Sequence, residues 1–169
     1  MLVGKKLPDF SLDAYEAGEQ KKISSSDFQG KWMLLFFYQR DFSPLCPTEL
    51  EALAKLHPQF EAEECAVVAA STDSAYSHEV WIKRDLPQVK FPLLADTSHK
   101  LALECGILLE DSGTALRGAF LADPEGIVRY ETVSSLHIGR SIEELLRALC
   151  ALKTGAACPA GWKKGDKTL

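Results

Sequence analysis

The sequence has no CxxC pair, although it contains five cysteines, Cys46, Cys65, Cys105, Cys150 and Cys158. That absence argues against a zinc knuckle and against a dithiol reductase site. An odd number of scattered cysteines argues against a secreted disulfide scaffold. A long apolar run is also missing: the longest, Trp32 to Tyr38, is far too short to cross a bilayer. Met1-Leu2-Val3-Gly4 leads straight into charged residues, so no signal peptide is expected. No block of like charge marks a nucleic-acid or membrane surface, and Lys5-Lys6, Lys21-Lys22 and Lys163-Lys164 read as solvated pairs. Internal repeats and low-complexity tracts are absent. The expectation is a cytoplasmic protein with neither nucleic acid nor membrane as partner.

What is present is ordinary for a single globular unit. The 169 residues are 46% hydrophobic and 25% charged, with a net charge of -5. Residues 9–14 alternate as a half-buried strand, Glu16 to Glu19 reads as a turn, and Lys22-Ile23 as the returning partner. Ser24 to Gly30 is a polar connection with one helical turn. Trp32 to Tyr38 is apolar at every position, as in a strand covered on both faces. A helix follows over 49–63, with Leu53, Leu56 and Phe60 on one stripe. Pro58 falls inside it and predicts a bend near 55–58 or a split. Cys65 to Ser71 is a second buried strand. Ser74 to Arg84 is a helix carrying Val80 and Trp81, Phe91 to Ala95 a short strand, and Thr97 to Cys105 a short helix ended by Gly106. Leu116 to Ala122 and Ile127 to Val133 flank the turn Asp123-Pro124-Glu125-Gly126 as an antiparallel hairpin. Ser141 to Glu144 is a capping box opening the last helix, which runs to Gly155. Alternating strands and helices closed by a hairpin and a helix predict an α/β domain with a mixed central sheet flanked by helices.

One stretch stands out chemically: Phe36 to Leu50, where the apolar strand passes through a polar loop into a helix. Either Cys46 is the N-cap with Pro47 first in the helix, or Ser43 caps with Pro44 first and Cys46 one turn in. A residue before proline avoids the α region, which favours the former. In both cases the thiol sits in the first turn. The unpaired N–H groups and the positive end of the macrodipole there favour S⁻, the nucleophilic form. A lone cysteine is more often a small buried apolar residue, and Cys65, Cys105 and Cys150 are read that way.

The neighbours of Cys46 separate it from the others. Tyr38-Gln39-Arg40-Asp41-Phe42-Ser43-Pro44-Leu45-Cys46-Pro47-Thr48-Glu49 resembles the active-site loop of the peroxiredoxins, Tyr-Pro-x-x-x-Thr-x-x-Cys-Pro-Thr-Glu. Gln39 stands in place of the family proline that shields the thiolate. Ser43 replaces the threonine and keeps its hydroxyl. The resemblance covers nearly the whole chain, from Pro8-Asp9-Phe10 to Gly161-Trp162-Lys163. It includes Ser71 to His78 with Trp81, Phe91 to Asp96, Leu116 to Phe120, and Gly139-Arg140-Ser141. Cys158-Pro159-Ala160-Gly161-Trp162 resembles the resolving-cysteine motif of the typical two-cysteine subgroup, the group of bacterial alkyl hydroperoxide reductase C.

The resemblance implies a thioredoxin-like fold with the peroxiredoxin N-terminal extension. Residues 1–155 would form the domain, and 156–169 a tail carrying the resolving cysteine. It implies a thiol-dependent peroxidase for hydrogen peroxide and organic hydroperoxides, serving antioxidant defence. Cys46 would attack, Cys158 of the other subunit would form the disulfide, and Arg117 and Ser43 would serve the site. Glu49 and Arg140 would form an ion pair behind it. No metal or other cofactor is implied. The reductant would be thioredoxin or a flavoprotein-linked donor, and the assembly a homodimer or a decamer of five dimers. The family's sensitivity signals, a Gly-Gly-Leu-Gly insertion and a C-terminal Tyr-Phe helix, are absent, so resistance to over-oxidation is expected. Two other readings are carried beside this one: a thioredoxin-like disulfide reductase, against which the missing CxxC argues, and a redox-sensing or holdase assembly.

Overall fold

A computed structural model describes residues 1–169. The all-apolar run becomes a strand, β3 (Trp32–Phe37), in the middle of a seven-stranded sheet. Side chains alternate along it, as a pleated strand requires. Leu34, Phe36 and then Tyr38 point into a core of 23 buried residues on one face. Met33, Leu35 and Phe37 point into a second core of 17 on the other. This double burial is why no polar residue is tolerated in the run.

Around β3 the chain lays down β1 (Ser11–Glu16), β2 (Glu19–Ser24), β4 (Cys65–Ser71), β5 (Leu93–Ala95), β8 (Arg117–Ala122) and β9 (Val128–Ser134). The spatial order is β2-β1-β5-β4-β3-β8-β9. The pairs β3–β4 and β4–β5 are parallel, and the other neighbours are antiparallel. A separate two-stranded ribbon pairs β6 (Leu108–Leu109) with β7 (Thr114–Ala115). Helices α1 (Cys46–Ala62), α2 (Ala75–Asp85) and α4 (Ile142–Lys153) cover the first face through Leu50, Leu53, Phe60, Trp81, Leu145 and Leu149. The short α3 (Lys100–Glu104) and the N-terminal segment with Leu7 and Phe10 cover the second.

Two features of this topology create the site. The loop from Tyr38 to Leu45 leaves β3 at the carboxyl end of the parallel strands. Strand β8 begins at that same end because it runs antiparallel to β3: Phe36 faces Ala119, and the register continued two residues sets Arg117 beside Tyr38.

Several expectations are corrected. Cys46 is the first residue inside α1 and Leu45 is the N-cap, so the helix starts one residue earlier than the preferred reading. Of the two outcomes expected at Pro58, a bend or a split, the split does not occur: α1 runs unbroken through it. An interior proline costs about 3 kcal/mol, and burial of Leu50, Leu53 and Phe60 in the shared core opposes that cost. Val80 is exposed at 57% while Trp81 is buried. Strand β1 starts at Ser11 rather than at residue 9. Only half of the capping box forms: Ser141 Oγ accepts from Glu144 N, while the Glu144 carboxylate pairs with Arg147. The terminal segment is packed. Trp162 is 4% exposed, Arg147 Nη1 donates to its carbonyl, and Lys164 pairs with Glu63. By contrast, the hairpin turn is as read, with Gly126 at φ 79° and Asp123 Oδ1 accepting from the N–H groups of Glu125 and Ile127.

Candidate active site

Cys46 is fully buried at the mouth of α1. Its backbone N–H donates to Ser43 Oγ at 3.4 Å. Arg117, the first residue of β8 and 1% exposed, brings Nη1 to 3.4 Å from Cys46 Sγ. The same nitrogen donates to Glu49 Oε2 at 2.6 Å. Its other edge is occupied, because Nε and Nη2 both donate to the Leu136 carbonyl at 3.0 and 2.9 Å. A guanidinium is planar and has its donors in a fixed fork. Gripping it on two sides therefore fixes where the donor beside the sulfur lies.

Glu49 lies one helical turn beyond Cys46 and is also buried. It accepts from Arg140 N, Nε and Nη2 at 2.8, 2.9 and 3.0 Å. Arg140 Nη1 donates to the Gly118 carbonyl, and its guanidinium lies 3.5 Å above the Phe36 ring. Burial alone would raise the Glu49 carboxyl, but the hydrogen bonds and charge of Arg140, helped by Arg117, hold it below its ordinary range. Burial draws Arg140 down from its ordinary value while Glu49 opposes the shift. The two arginines carry one more charge than Glu49 returns.

The remaining thiols are placed differently. Burial pushes Cys65 and Cys105 up to about 12, leaving them protonated and inert, and raises Cys150 as well. Cys158 is half-exposed beyond α4, with Sγ 3.5 Å from Thr154 Oγ1. The structure thus gathers Cys46, Ser43, Arg117, Glu49 and Arg140 into one cluster. Cys158 is not among the partners of Cys46, and both are free thiols. The carbonyls of Leu136 and Gly118 and the ring of Phe36 complete the cluster. Sequence reasoning missed them, because backbone acceptors leave no residue-type signal. It also passed over a buried group beside the loop, Tyr38, Asp41 and His78. A histidine three and four residues before Trp81 and Ile82 on one helical face was the available sign.

A cysteine at a helix mouth beneath a buried arginine, on this sheet, defines the class of thioredoxin-like thiol peroxidases. The AhpC/TSA family model matches residues 3–131, and the model of the C-terminal domain of 1-Cys peroxiredoxin matches residues 151–169. A thioredoxin peroxidase of Echinococcus granulosus is 43% identical over 99% of this chain and 91% of its own. Among solved structures, Enterococcus faecalis AhpC superposes with a TM-score of 0.90 at 38% identity, covering 99% of this chain and 98% of that one. Reduced 2-Cys peroxiredoxin of Plasmodium vivax superposes with a TM-score of 0.94 at 34% identity, covering 99% and 92%. The chain belongs to the AhpC/TSA family and is a peroxiredoxin of the typical two-cysteine, AhpC-like kind. It is a thiol-dependent peroxidase with an antioxidant role.

Proposed function

We propose that Cys46 is the thiol that attacks peroxide and that Cys158 resolves it. The Cys46 thiolate attacks one oxygen of ROOH, the S–O bond forms, and the O–O bond breaks. The other oxygen leaves as RO⁻ and takes a proton, so the peroxide is reduced to ROH and the thiol oxidised to a sulfenic acid. Arg117 Nη1 donates where charge moves onto the oxygens, and the Ser43 hydroxyl, which accepts from the Cys46 N–H, serves the same site. The Cys158 thiol of a second subunit then attacks the sulfenic sulfur, forming S–S and releasing water. A dithiol partner, thioredoxin or a flavoprotein-linked protein of that kind, reduces the disulfide by exchange.

The observation that carries this reading is the 3.4 Å approach of the twice-gripped Arg117 to a buried sulfur at a helix mouth. In this reading, residues 1–155 form the working domain and 156–169 the arm that delivers Cys158, within a homodimer that assembles into a decamer. No helix is long and apolar enough to cross a membrane. In this reading the enzyme works in the cytoplasm on hydrogen peroxide and organic hydroperoxides. Single-turnover mixing with hydrogen peroxide, followed by mass mapping, tests it. A sulfenic acid on Cys46 and then a Cys46–Cys158 bond between chains is the expected result, and oxidation that spares Cys46 would refute it.

A further inference from the structure

Outside the Cys46 cluster lies a second buried polar group that peroxide chemistry does not use. His78, on α2, is 0% exposed. Its Nδ1 faces Asp41 Oδ2 at 2.9 Å and Oδ1 at 3.1 Å. Its Nε2 faces the Leu94 carbonyl at 3.1 Å. A carbonyl only accepts, so Nε2 carries a hydrogen, and Nδ1 is left facing the carboxylate and, at 3.2 Å, the Tyr38 hydroxyl. Tyr38 OH donates to Asp41 Oδ1 at 2.8 Å. Burial first, then the Asp41 charge, pushes the phenol well above its ordinary value, so it remains a donor. The Asp41 N–H donates to Asp73 Oδ2 at 2.9 Å, which also accepts from Ser71 Oγ. Every polar atom of Asp41 named here is therefore tied to the residue that follows β3, to the segment between β4 and α2, or to α2 itself.

Asp41 sits in the loop that carries Cys46, and the next residue is strained. Phe42 has φ 57°, a left-handed conformation that bulky residues rarely adopt and that persists only where the surroundings impose it. Its ring packs 6.0 Å from Trp81 and lies under the Arg84 guanidinium at 4.9 Å. Helix α2 thus grips the loop through His78, Trp81 and Arg84, four to five residues before the thiol.

We propose that His78 is a positioning residue for Cys46: through Asp41 it holds the Tyr38–Leu45 loop in the strained form that presents the thiol to Arg117. This rests on Cys46 being the attacking thiol. The latch also has to open for the second step, because Cys46 is fully buried and Cys158 is not beside it. His78 therefore favours attack on peroxide over exposure of the oxidised sulfur.

Two substitutions in the full chain separate positioning from general packing. In His78→Asn the amide nitrogen falls near Nδ1 and keeps a donor to Asp41. In His78→Gln it falls near Nε2, keeps the Leu94 bond, and leaves the Asp41 carboxylate without its partner on α2, with Tyr38 OH its remaining side-chain donor. The readouts are single-turnover loss of the Cys46 thiol with hydrogen peroxide, and peptide-mapped labelling of reduced protein by a bulky maleimide. Cys65 and Cys105, buried elsewhere, report general opening. Loss of a buried charge-assisted hydrogen bond predicts that His78→Gln slows the peroxide step about tenfold or more and speeds Cys46 labelling by a similar factor. Labelling of Cys65 and Cys105 stays unchanged, and His78→Asn remains within about threefold of wild type on both readouts. Wild-type behaviour of both variants, equal impairment of both, or joint opening of Cys65 and Cys105 would overturn the proposal. Should His78→Gln not accumulate, Asp41→Ala against Asp41→Asn is read in the same way, since an asparagine amide can donate to Nδ1 and accept from Tyr38. Failure of the underlying assignment has a different signature: wild-type Cys46 itself stays reduced under peroxide.

Discussion

Arg117 meets Cys46 and Glu49 with one and the same nitrogen: Nη1 is 3.4 Å from the sulfur and 2.6 Å from Oε2. The donor offered to the substrate side is therefore aimed by a carboxylate, and that carboxylate is itself held by Arg140. The chain of contacts makes the roles separable by mutation.

Cys46→Ser abolishes peroxide consumption, because a serine hydroxyl at neutral pH is a far weaker nucleophile than a thiolate. Cys65→Ser and Cys105→Ser retain most of it, since those thiols are buried and pushed up to about 12. Steady-state assays with a thiol donor read this directly. Normal turnover in Cys46→Ser would end the assignment.

Arg117→Ala removes a charged donor from a buried sulfur. The loss is worth about 1.5–3 kcal/mol, a fall of about ten- to a hundredfold in the oxidation step. Arg117→Lys recovers only part, because an ammonium cannot hold Leu136, Glu49 and the sulfur together in one plane. Stopped-flow fluorescence with hydrogen peroxide measures both, and an unchanged rate in Arg117→Ala would remove the residue from the mechanism.

Glu49→Gln leaves two buried guanidinium groups without their counter-ion, and breaking a buried pair costs about 3–5 kcal/mol. The pH dependence has a definite sign. The folded carboxyl titrates below its ordinary range, so its ionised form stabilises the fold in full above about pH 4.3, the unfolded value. That contribution is lost as pH falls from there through the lower folded value. Urea unfolding from pH 7 to pH 3 should show the gap between wild type and variant closing only at the acid end. A gap constant over that range would contradict the linkage.

In the proposed mechanism, oxidation joins two chains through Cys158. Peroxide-treated wild type runs as a dimer without reductant, and Cys158→Ser runs as a monomer. Dimers persisting in Cys158→Ser would shift the resolving role to another thiol, with Cys150 the first to examine.

Trp162 holds the terminal segment down, at 4% exposure and with its carbonyl on Arg147. Capture of the sulfenic acid competes with further oxidation, so release of this segment sets the balance. Trp162→Ala frees it, and less sulfinic Cys46 forms at a given peroxide concentration. Resistance of the wild type is itself only the expectation drawn from the lack of a glycine insertion between Asp85 and Phe91. Mass spectrometry after turnover decides, and a rise in sulfinic acid in Trp162→Ala would refute the competition.

Much of this protein is legible in local chemistry. Trp32 to Phe37 had to be a strand buried on both faces, because neither helical periodicity nor a polar face is present in it. Asp123 to Gly126 had to be a turn, and a cysteine before a proline after a polar loop had to stand at a helix mouth. These follow from constraints acting over a few residues. Which arginine meets which carboxylate did not follow from them; the Glu49–Arg140 pair was expected only from the family resemblance. Glu49 and Arg140 are 91 positions apart, and their pairing depends on where α1 and α4 settle on the sheet. Pro58 inside α1 and the docking of Trp162 went against local expectation for the same reason, since the side chains around them bury enough surface to override propensity. His78 is the clearest case. Its partners come from both the start and the middle of the cysteine loop and from β5, and only the packing of α2 against them turns an ordinary helical histidine into the residue that holds that loop.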